Sequence, residues 1–173
     1  MSIILGIDPG SRKCGFGFIN AVGNKLEYVA SGVIRVEDLP FPQRLQTIYS
    51  TLSELIEQYA PAEAAIEEVF VGKSGASALK LGQARGAAMV ACSSHGLDIH
   101  EYATRKVKLA VVGTGAATKP QIQHMIKNLL KLTDSPQEDA ADALSVAVCH
   151  AHTRHTLIRL AGVRSSRRGR LVR

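Results

Sequence analysis

Three consecutive strand-like segments open the chain and restrict the folds available to it. Residues 3–8, 14–21 and 25–36 are apolar or alternate small with apolar side chains, and short polar breaks at 9–10 and 23–24 separate them. Segments of this length joined by short turns predict an antiparallel meander. The chain is therefore expected to begin with three neighbouring antiparallel strands.

The rest of the chain alternates helical and strand patterns. Helices are predicted over 42–59, from the polar loop GKSGAS to about 94, and over 104–112, 119–131 and 136–160, with strands over 63–70 and 97–102. Thr104 is the expected N-cap of its helix. This order predicts an α/β fold whose mixed sheet has antiparallel strands first and parallel pairing afterwards.

Composition indicates a single compact domain. The 173 residues are 46% hydrophobic, and the three cysteines stand singly in apolar segments at positions 14, 92 and 149. Such scattered cysteines favour neither a disulfide framework nor a zinc site. The N-terminus has no signal-peptide pattern and no apolar run is long enough to span a membrane. We expect a cytoplasmic protein without a membrane contact.

Basic residues are segregated along the chain. Five arginines fall within residues 164–173, and without them the formal net charge of +6 drops to +1. Residues 102–133 contain six lysines and arginines but no acid. Separation of this kind is typical of a polyanion-binding surface, although a solvated helix face would look the same.

Several acids occupy unusual apolar surroundings. Asp8 ends the first strand, Glu67 and Glu68 lie near the end of the fourth, and Asp139 and Asp142 share one helix face. Carboxylates gathered beside a core need a compensating charge, which divalent cations provide. Helical periodicity does not separate Asp139 from Glu138 as the partner of Asp142.

Each acid alone also has an ordinary explanation. An aspartate before Pro-Gly is often a turn residue, and a glutamate pair at a strand end is usually solvated. Aspartates in a first helical turn commonly stabilise the helix dipole. The hypothesis of a metal-dependent nuclease rests on their joint occurrence.

Five segments together resemble the signature blocks of the bacterial RuvC-type Holliday-junction resolvases. The blocks follow in the family's order and spacing and cover about residues 1–155. They are IDPGSRKCGFG (7–17), AIEEVF (65–70), SALKLGQARG (77–86), VVGTGAATKPQIQHM (111–125) and PQEDAADALSVA (136–147).

The resemblance implies a ribonuclease H-like fold and a junction endonuclease that makes paired symmetric nicks. It implies that four acids hold two Mg²⁺ ions, for which Mn²⁺ substitutes, and that the products carry 5′-phosphate and 3′-hydroxyl ends. By this resemblance the catalytic and metal-binding acids are Asp8, Glu67, Asp139 and Asp142.

Less specific assignments also follow from the resemblance. Phe70 matches an aromatic that acts beside the junction centre, with core packing as the alternative, and Lys108 and Lys119 match DNA-binding or catalytic lysines. Gly82 and Gly86 suit either a dimer seam or close packing on the chain's own sheet. The implied partners are four-way junction DNA, a second copy of the chain and the RuvA–RuvB branch-migration complex.

The C-terminal end departs from the family pattern, since many relatives stop soon after the last helix. We expect residues 1–160 to form the nuclease domain and residues 161–173 a basic, flexible tail that contacts phosphates without sequence preference. A tail neutral to function, or one that contacts a protein partner, is the alternative.

Three other functions are alternatives to a resolvase. A sugar-kinase or actin-like ATPase would share the strand-Asp-Gly-Ser turn but needs a second phosphate loop and a second domain. Another ribonuclease H-like nuclease would use the same acids on hybrids or structured RNA, so only its substrate would differ. A non-catalytic DNA-binding module would not need the acids.

Overall fold

The computed structural model describes residues 2–68 and 75–160 and, for the backbone alone, residues 165–167 and 170–172. One five-stranded sheet carries helices on both of its faces. The strands are β1 (Ser2–Asp8), β2 (Lys13–Val22), β3 (Lys25–Arg35), β4 (Glu63–Glu67) and β5 (Asp98–Tyr102). The helices are α1 (Phe41–Tyr59), α2 (Gly75–Ser94), α3 (Thr104–Val112), α4 (Lys119–Leu129) and α5 (Glu138–Leu160).

The spatial order of the sheet is β3-β2-β1-β4-β5. The first three strands pair antiparallel, whereas β4 pairs parallel with both β1 and β5. The predicted α/β class, with a meander followed by parallel strands, is confirmed. Because β1, β4 and β5 run in the same direction, their carboxyl ends lie along one edge of the sheet.

Alternation along the strands determines which side chains face which helices. Leu5 and Ile7 of β1 pack in the core beneath α1 and α2, whereas Ile4 packs on the opposite face with α4 and α5. On β4, Ala64 and Ile66 belong to the first core, and Ala65 contacts the α3 and α5 side. The two-residue period therefore directs Asp8 and Glu67 toward α5.

Glycines in β1 and β2 allow α5 to lie close to the sheet. A Cβ placed on Gly6 would come 2.1 Å from the carbonyl oxygen of Ala143, and one on Gly17 would come 2.7 Å from the side chain of Leu144. Neither position has room for a side chain, so the helix packs almost directly on backbone. This close packing brings the first turns of α5 to the carboxyl end of β1.

Several element boundaries differ from those expected. Ala103 is the N-cap of α3 and Thr104 is its first residue, so the predicted N-cap was one residue late. Thr118 caps α4 through a capping box with Gln121. Helix α5 begins at Glu138, two residues later than expected.

The tail contains two short strands, β6 (Ser165–Arg167) and β7 (Arg170–Val172), which pair antiparallel. The sequence did not predict this pairing, because the segment contains few apolar residues. Backbone hydrogen bonds between two strands do not require apolar side chains. The flexibility of the tail stays a prediction.

Within residues 2–68 and 75–160, no helix is long and apolar enough to cross a membrane. The three cysteines are buried and unpaired.

Candidate active site

Three of the four predicted acids meet at one edge of the sheet. Asp8 is the last residue of β1 and Glu67 the last of β4, and these strands are parallel neighbours. Asp142 lies in the second turn of α5, which packs against both strands. Strand register and helix packing together bring the three carboxylates to the same pocket.

The pocket has a volume of about 240 Å³. Besides the three acids, its lining contains two lysines, two hydroxyl groups and two apolar side chains, which are Lys108, Lys119, Thr104, Ser145, Val107 and Ile122. An acid-lined pocket with lysines at its wall can hold a phosphate diester and the cations that neutralise it.

Asp139 and Glu138 have different environments. Asp139 is half-buried and does not line the pocket, but its charge acts on Asp8 and Asp142. Glu138 is about half exposed and forms an ion pair with the Lys119 ammonium group. Neither Asp139 nor Glu138 lines the pocket, and Lys119 pairs with both Glu138 and Asp142.

The acids repel one another in a poorly solvated setting. Burial raises the pKa of Asp8 to about 8, and the charges of the other three carboxylates add to that shift. Burial also raises the pKa of Asp142 to about 6, while the nearby Lys119 acts in the opposite direction. Both shifts are caused mainly by burial, which disfavours the charged form of each acid, and repulsion among the carboxylates adds to them.

Within residues 2–68 and 75–160, Lys119 is the one cation that forms an ion pair with an acid of the pocket. Its Nζ is 3.6 Å from Asp142 Oδ2, and the hydrogen bond to Glu138 raises the lysine's own pKa. The capping box of Thr118 fixes the start of α4 and hence the backbone from which Lys119 projects. Lys108 reaches the same pocket from α3.

Two other expected positions lie at or beyond the end of β4. The backbone N–H of Glu68 donates to the carbonyl of Tyr102 at 2.9 Å, and the Glu68 side chain does not line the pocket. Phe70 falls outside the residues that the structure describes. Its assignment to the junction centre therefore stays a prediction.

Thr104 is a site residue that the sequence analysis missed. Its hydroxyl donates a hydrogen bond to Oε1 of Glu67. The sequence signal was its position two residues after the end of β5, the parallel neighbour of β4. The sequence pattern alone favoured an N-cap role instead.

A second polar group was also missed, at the opposite end of β4. Glu63, His100 and His150 offer metal-binding types of atom within 4.8 Å of one another. However, Arg154 Nη1 lies 3.1 Å from Glu63 Oε2, and His150 Nε2 lies 2.7 Å from the same oxygen. The charge of Glu63 is thus already compensated, and this group is a buried ion-pair network.

The carboxylate pocket, in contrast, suits a divalent metal ion. Its donors are carboxylate oxygens, the ligands that Mg²⁺ and Mn²⁺ prefer. Burial and the neighbouring carboxylates raise the pKa of Asp8 despite Lys119, so a bound cation would favour the ionised acids. The acidic cluster can therefore bind a metal ion.

Comparison with known proteins agrees with this geometry. The family model described as crossover junction endodeoxyribonuclease RuvC matches residues 4–150. A protein of that name from Saccharophagus degradans is 60% identical over 173 residues, which cover 99% of this chain and 100% of the relative. Its counterpart from Teredinibacter turnerae is 59% identical over 180 residues, again covering 99% and 100%.

Solved structures show the same similarity. Thermus thermophilus RuvC in complex with Holliday junction substrate superimposes with a TM-score of 0.85 at 30% identity, covering 90% of this chain and 96% of that one. The yeast mitochondrial Holliday junction resolvase, at 12% identity and a TM-score of 0.65, covers 91% of this chain and 83% of its own and shows the shared fold alone.

Proposed function

The chain belongs to the RuvC family of crossover junction endodeoxyribonucleases, and we propose that it resolves four-way DNA junctions by paired symmetric nicks. It is a nuclease that hydrolyses phosphodiester bonds in DNA recombination and repair. The observation that carries this proposal is the meeting of Asp8, Glu67 and Asp142 in one lysine-walled pocket. The nicks are proposed to leave 5′-phosphate and 3′-hydroxyl ends.

Asp8, Glu67, Asp139 and Asp142 are the proposed ligands of two Mg²⁺ ions, with Mn²⁺ as a substitute. When bound, the cations supply a water nucleophile of lowered pKa and stabilise charge on the scissile phosphate. The chain's own contribution is to fix the carboxylates on two strand ends and one helix. Asp139, beside the pocket, would complete the set from the first turn of α5.

Lys119 and Lys108 are the proposed phosphate contacts. Lys119 is half-exposed and already shares its charge with Asp142 and Glu138, so an incoming phosphate can compete for the ammonium group.

Phe70 is proposed to stack on a base or to wedge a base step open at the junction centre. A Phe70→Ala variant should then lose cleavage without the loss of stability, about 3–5 kcal/mol, that a core residue would show.

An exposed stripe on α2 supports a homodimer. Leu79 and Val90 are 66% and 53% exposed, and Gly82 and Gly86 lie between them at helical spacing with open space around both. The two glycines do not pack on the chain's own sheet, which was the alternative interpretation. We propose that a second copy covers this stripe, since a twofold dimer suits two symmetric nicks.

The setting in the cell follows from the family resemblance. We propose that the dimer acts in the cytoplasm together with the RuvA–RuvB branch-migration complex.

A synthetic mobile four-way junction tests the proposed function. The purified chain should nick it symmetrically with Mg²⁺ and not with EDTA, and Asp8→Asn, Glu67→Gln, Asp139→Asn and Asp142→Asn should each bind the junction but not cut it. Glu68→Gln is the matched control and should cut normally. Equal cleavage of an RNA–DNA hybrid would favour a different ribonuclease H-like substrate and contradict the proposal.

A further inference from the structure

The backbone around Glu67 is held from two sides. In the parallel ladder Glu67 pairs with Tyr102, and the next N–H along the chain donates to the Tyr102 carbonyl at 2.9 Å. From α2, Arg85 Nε donates to the Glu67 carbonyl oxygen over 3.4 Å, and its guanidinium also pairs with Glu101. The main chain is thus fixed, but three rotatable side-chain bonds still set the position and orientation of the carboxylate.

The charges nearby push this carboxylate away from the pocket. Glu67, Asp8 and Asp142 all line the same space, and the charge of Glu67 acts unfavourably on both of the other acids. Rotation toward solvent would relieve that repulsion. Glu67 therefore needs an attractive partner if it is to stay in place before a cation arrives.

Thr104 supplies that partner. Its hydroxyl donates to Oε1, since an ionised carboxylate can only accept. Among residues 2–68 and 75–160, Thr104 is the one hydrogen-bond donor to the Glu67 carboxylate. The hydroxyl is available because Ala103, not Thr104, is the N-cap of α3, and the Ala103 carbonyl accepts from the backbone N–H of Val107.

We propose that Thr104 is a positioning residue that orients the Glu67 carboxylate for metal binding. Oε1 is engaged by the hydroxyl, and Oε2 is the oxygen left for the cation. Partners of this kind commonly set the orientation of ligand groups and contribute substantially to metal affinity. The inference rests on the proposed role of Glu67 as a metal ligand.

Three full-length variants test the inference. Thr104→Val keeps the shape of the side chain but removes the hydroxyl, and Thr104→Ser keeps the hydroxyl but removes the methyl group. Thr156→Val is the matched control, because that exposed hydroxyl bonds the helix carbonyl of His152, at 2.9 Å, and does not line the carboxylate pocket. Two quantities are measured for each, the Mg²⁺ concentration for half-maximal junction cleavage and the affinity for Mn²⁺ by calorimetry without DNA.

In Thr104→Val the Mg²⁺ concentration for half-maximal cleavage should rise about tenfold and the affinity for Mn²⁺ should fall about tenfold. The cleavage rate at saturating Mg²⁺ should equal that of the unaltered chain. Thr104→Ser and Thr156→Val should behave like the unaltered chain. The inference is overturned if Thr104→Val binds metal as well as the unaltered chain does. It is also overturned if Thr104→Ser is as impaired as Thr104→Val, because the methyl group and not the hydroxyl would then be responsible. Failure of the proposed function is distinguishable, because the unaltered chain would then not nick the junction with Mg²⁺, whereas Mn²⁺ binding without DNA would still report the effect of Thr104.

Discussion

Gly15 lies against the backbone of Asp139, so that a Cβ on Gly15 would come 2.0 Å from the Asp139 carbonyl oxygen. Gly15 is also the antiparallel partner of Asp8. A residue of β2 thus sets how closely the first turn of α5 approaches the strand end that carries Asp8. The spacing between two of the proposed metal ligands depends on a residue with no side chain.

Gly15→Ala should therefore affect both stability and catalysis. The added methyl group would collide with backbone, which has no rotamer to yield, so α5 must shift at a cost of roughly 3 kcal/mol. Cleavage should fall even at temperatures where the variant is folded, because Asp139 and Asp142 move with the helix. Denaturant unfolding and junction cleavage measure the two effects.

Gly75→Ala is the control for that experiment. A Cβ at this position meets nothing within 4 Å, so stability and cleavage should stay near those of the unaltered chain. Normal cleavage by Gly15→Ala would show that the acid site tolerates a displaced helix.

Asp8→Asn should stabilise the metal-free protein at neutral and alkaline pH. An acid whose pKa rises from 3.8 to about 8 on folding makes stability fall as pH increases between those two values. The amide removes that loss, and the gain at pH 8 should be on the order of a few kcal/mol. Urea unfolding in EDTA at pH 5 and pH 8 measures how the gain grows with pH.

Mg²⁺ provides a second comparison for the same variant. The cation should stabilise the unaltered chain more than Asp8→Asn, because binding to the folded state alone raises stability. The exposed Asp38 supplies a control, and Asp38→Asn should show neither effect. A gain for Asp8→Asn that does not change with pH would mean that charge repulsion is not its cause.

Glu63→Gln should destabilise the protein by roughly 3 kcal/mol at pH 7, since it leaves the largely buried Arg154 guanidinium without its counter-charge. The hydrogen bond from His150, followed by the charge of Arg154, lowers the pKa of Glu63 from 4.5 to about 2. The stabilisation from a depressed acid is present above the unfolded value and disappears as pH falls from about 4.5 to 2. Unfolding curves of the two proteins should therefore converge through that range, and a constant gap would contradict the ion-pair interpretation.

Removal of residues 164–173 should weaken binding to junction and plain duplex alike. Each phosphate that the five arginines neutralise contributes about −0.9 to the log–log salt slope on duplex DNA, so the slope should flatten. Cleavage of bound junction should be unchanged. Salt titrations of DNA binding measure the effect. A variant with the five arginines replaced by glutamine keeps the length of the tail, and therefore separates the effect of its charge from that of its backbone pairing. A selective loss of junction binding would show that the tail recognises structure.

Much of the fold could be predicted because its signals are local. The apolar runs that end at Asp8 and Glu67 mark strands by their period, and that same period fixes the face on which each acid lies. Glycine is required at positions 6, 15 and 17 because α5 packs directly against them. That helix lies more than a hundred residues later in the sequence. Sequence patterns do not report such long-range contacts.

The site was predictable in its acids but not in their supporting contacts. Asp8, Glu67 and Asp142 were expected to converge and do so, whereas the preference for Asp139 over Glu138 came from the family resemblance, and neither of those two lines the pocket. Thr104 was assigned to helix capping because threonine commonly serves there. Its actual partner depends on the register of β4 and β5, which no single segment encodes.

Helix α5 is buried around most of its circumference from Ala140 to Ala151, and its first two turns carry Asp139 and Asp142. Amides of such a helix exchange with solvent only when the core itself opens, whereas those of frayed ends exchange locally. The carboxylates on α5 are thus expected to keep their geometry for as long as the molecule stays folded. The main chain of Glu67 is held by Tyr102 and Arg85, but its carboxylate depends on the single hydroxyl of Thr104, so this side chain can rotate while the α5 half of the site remains rigid.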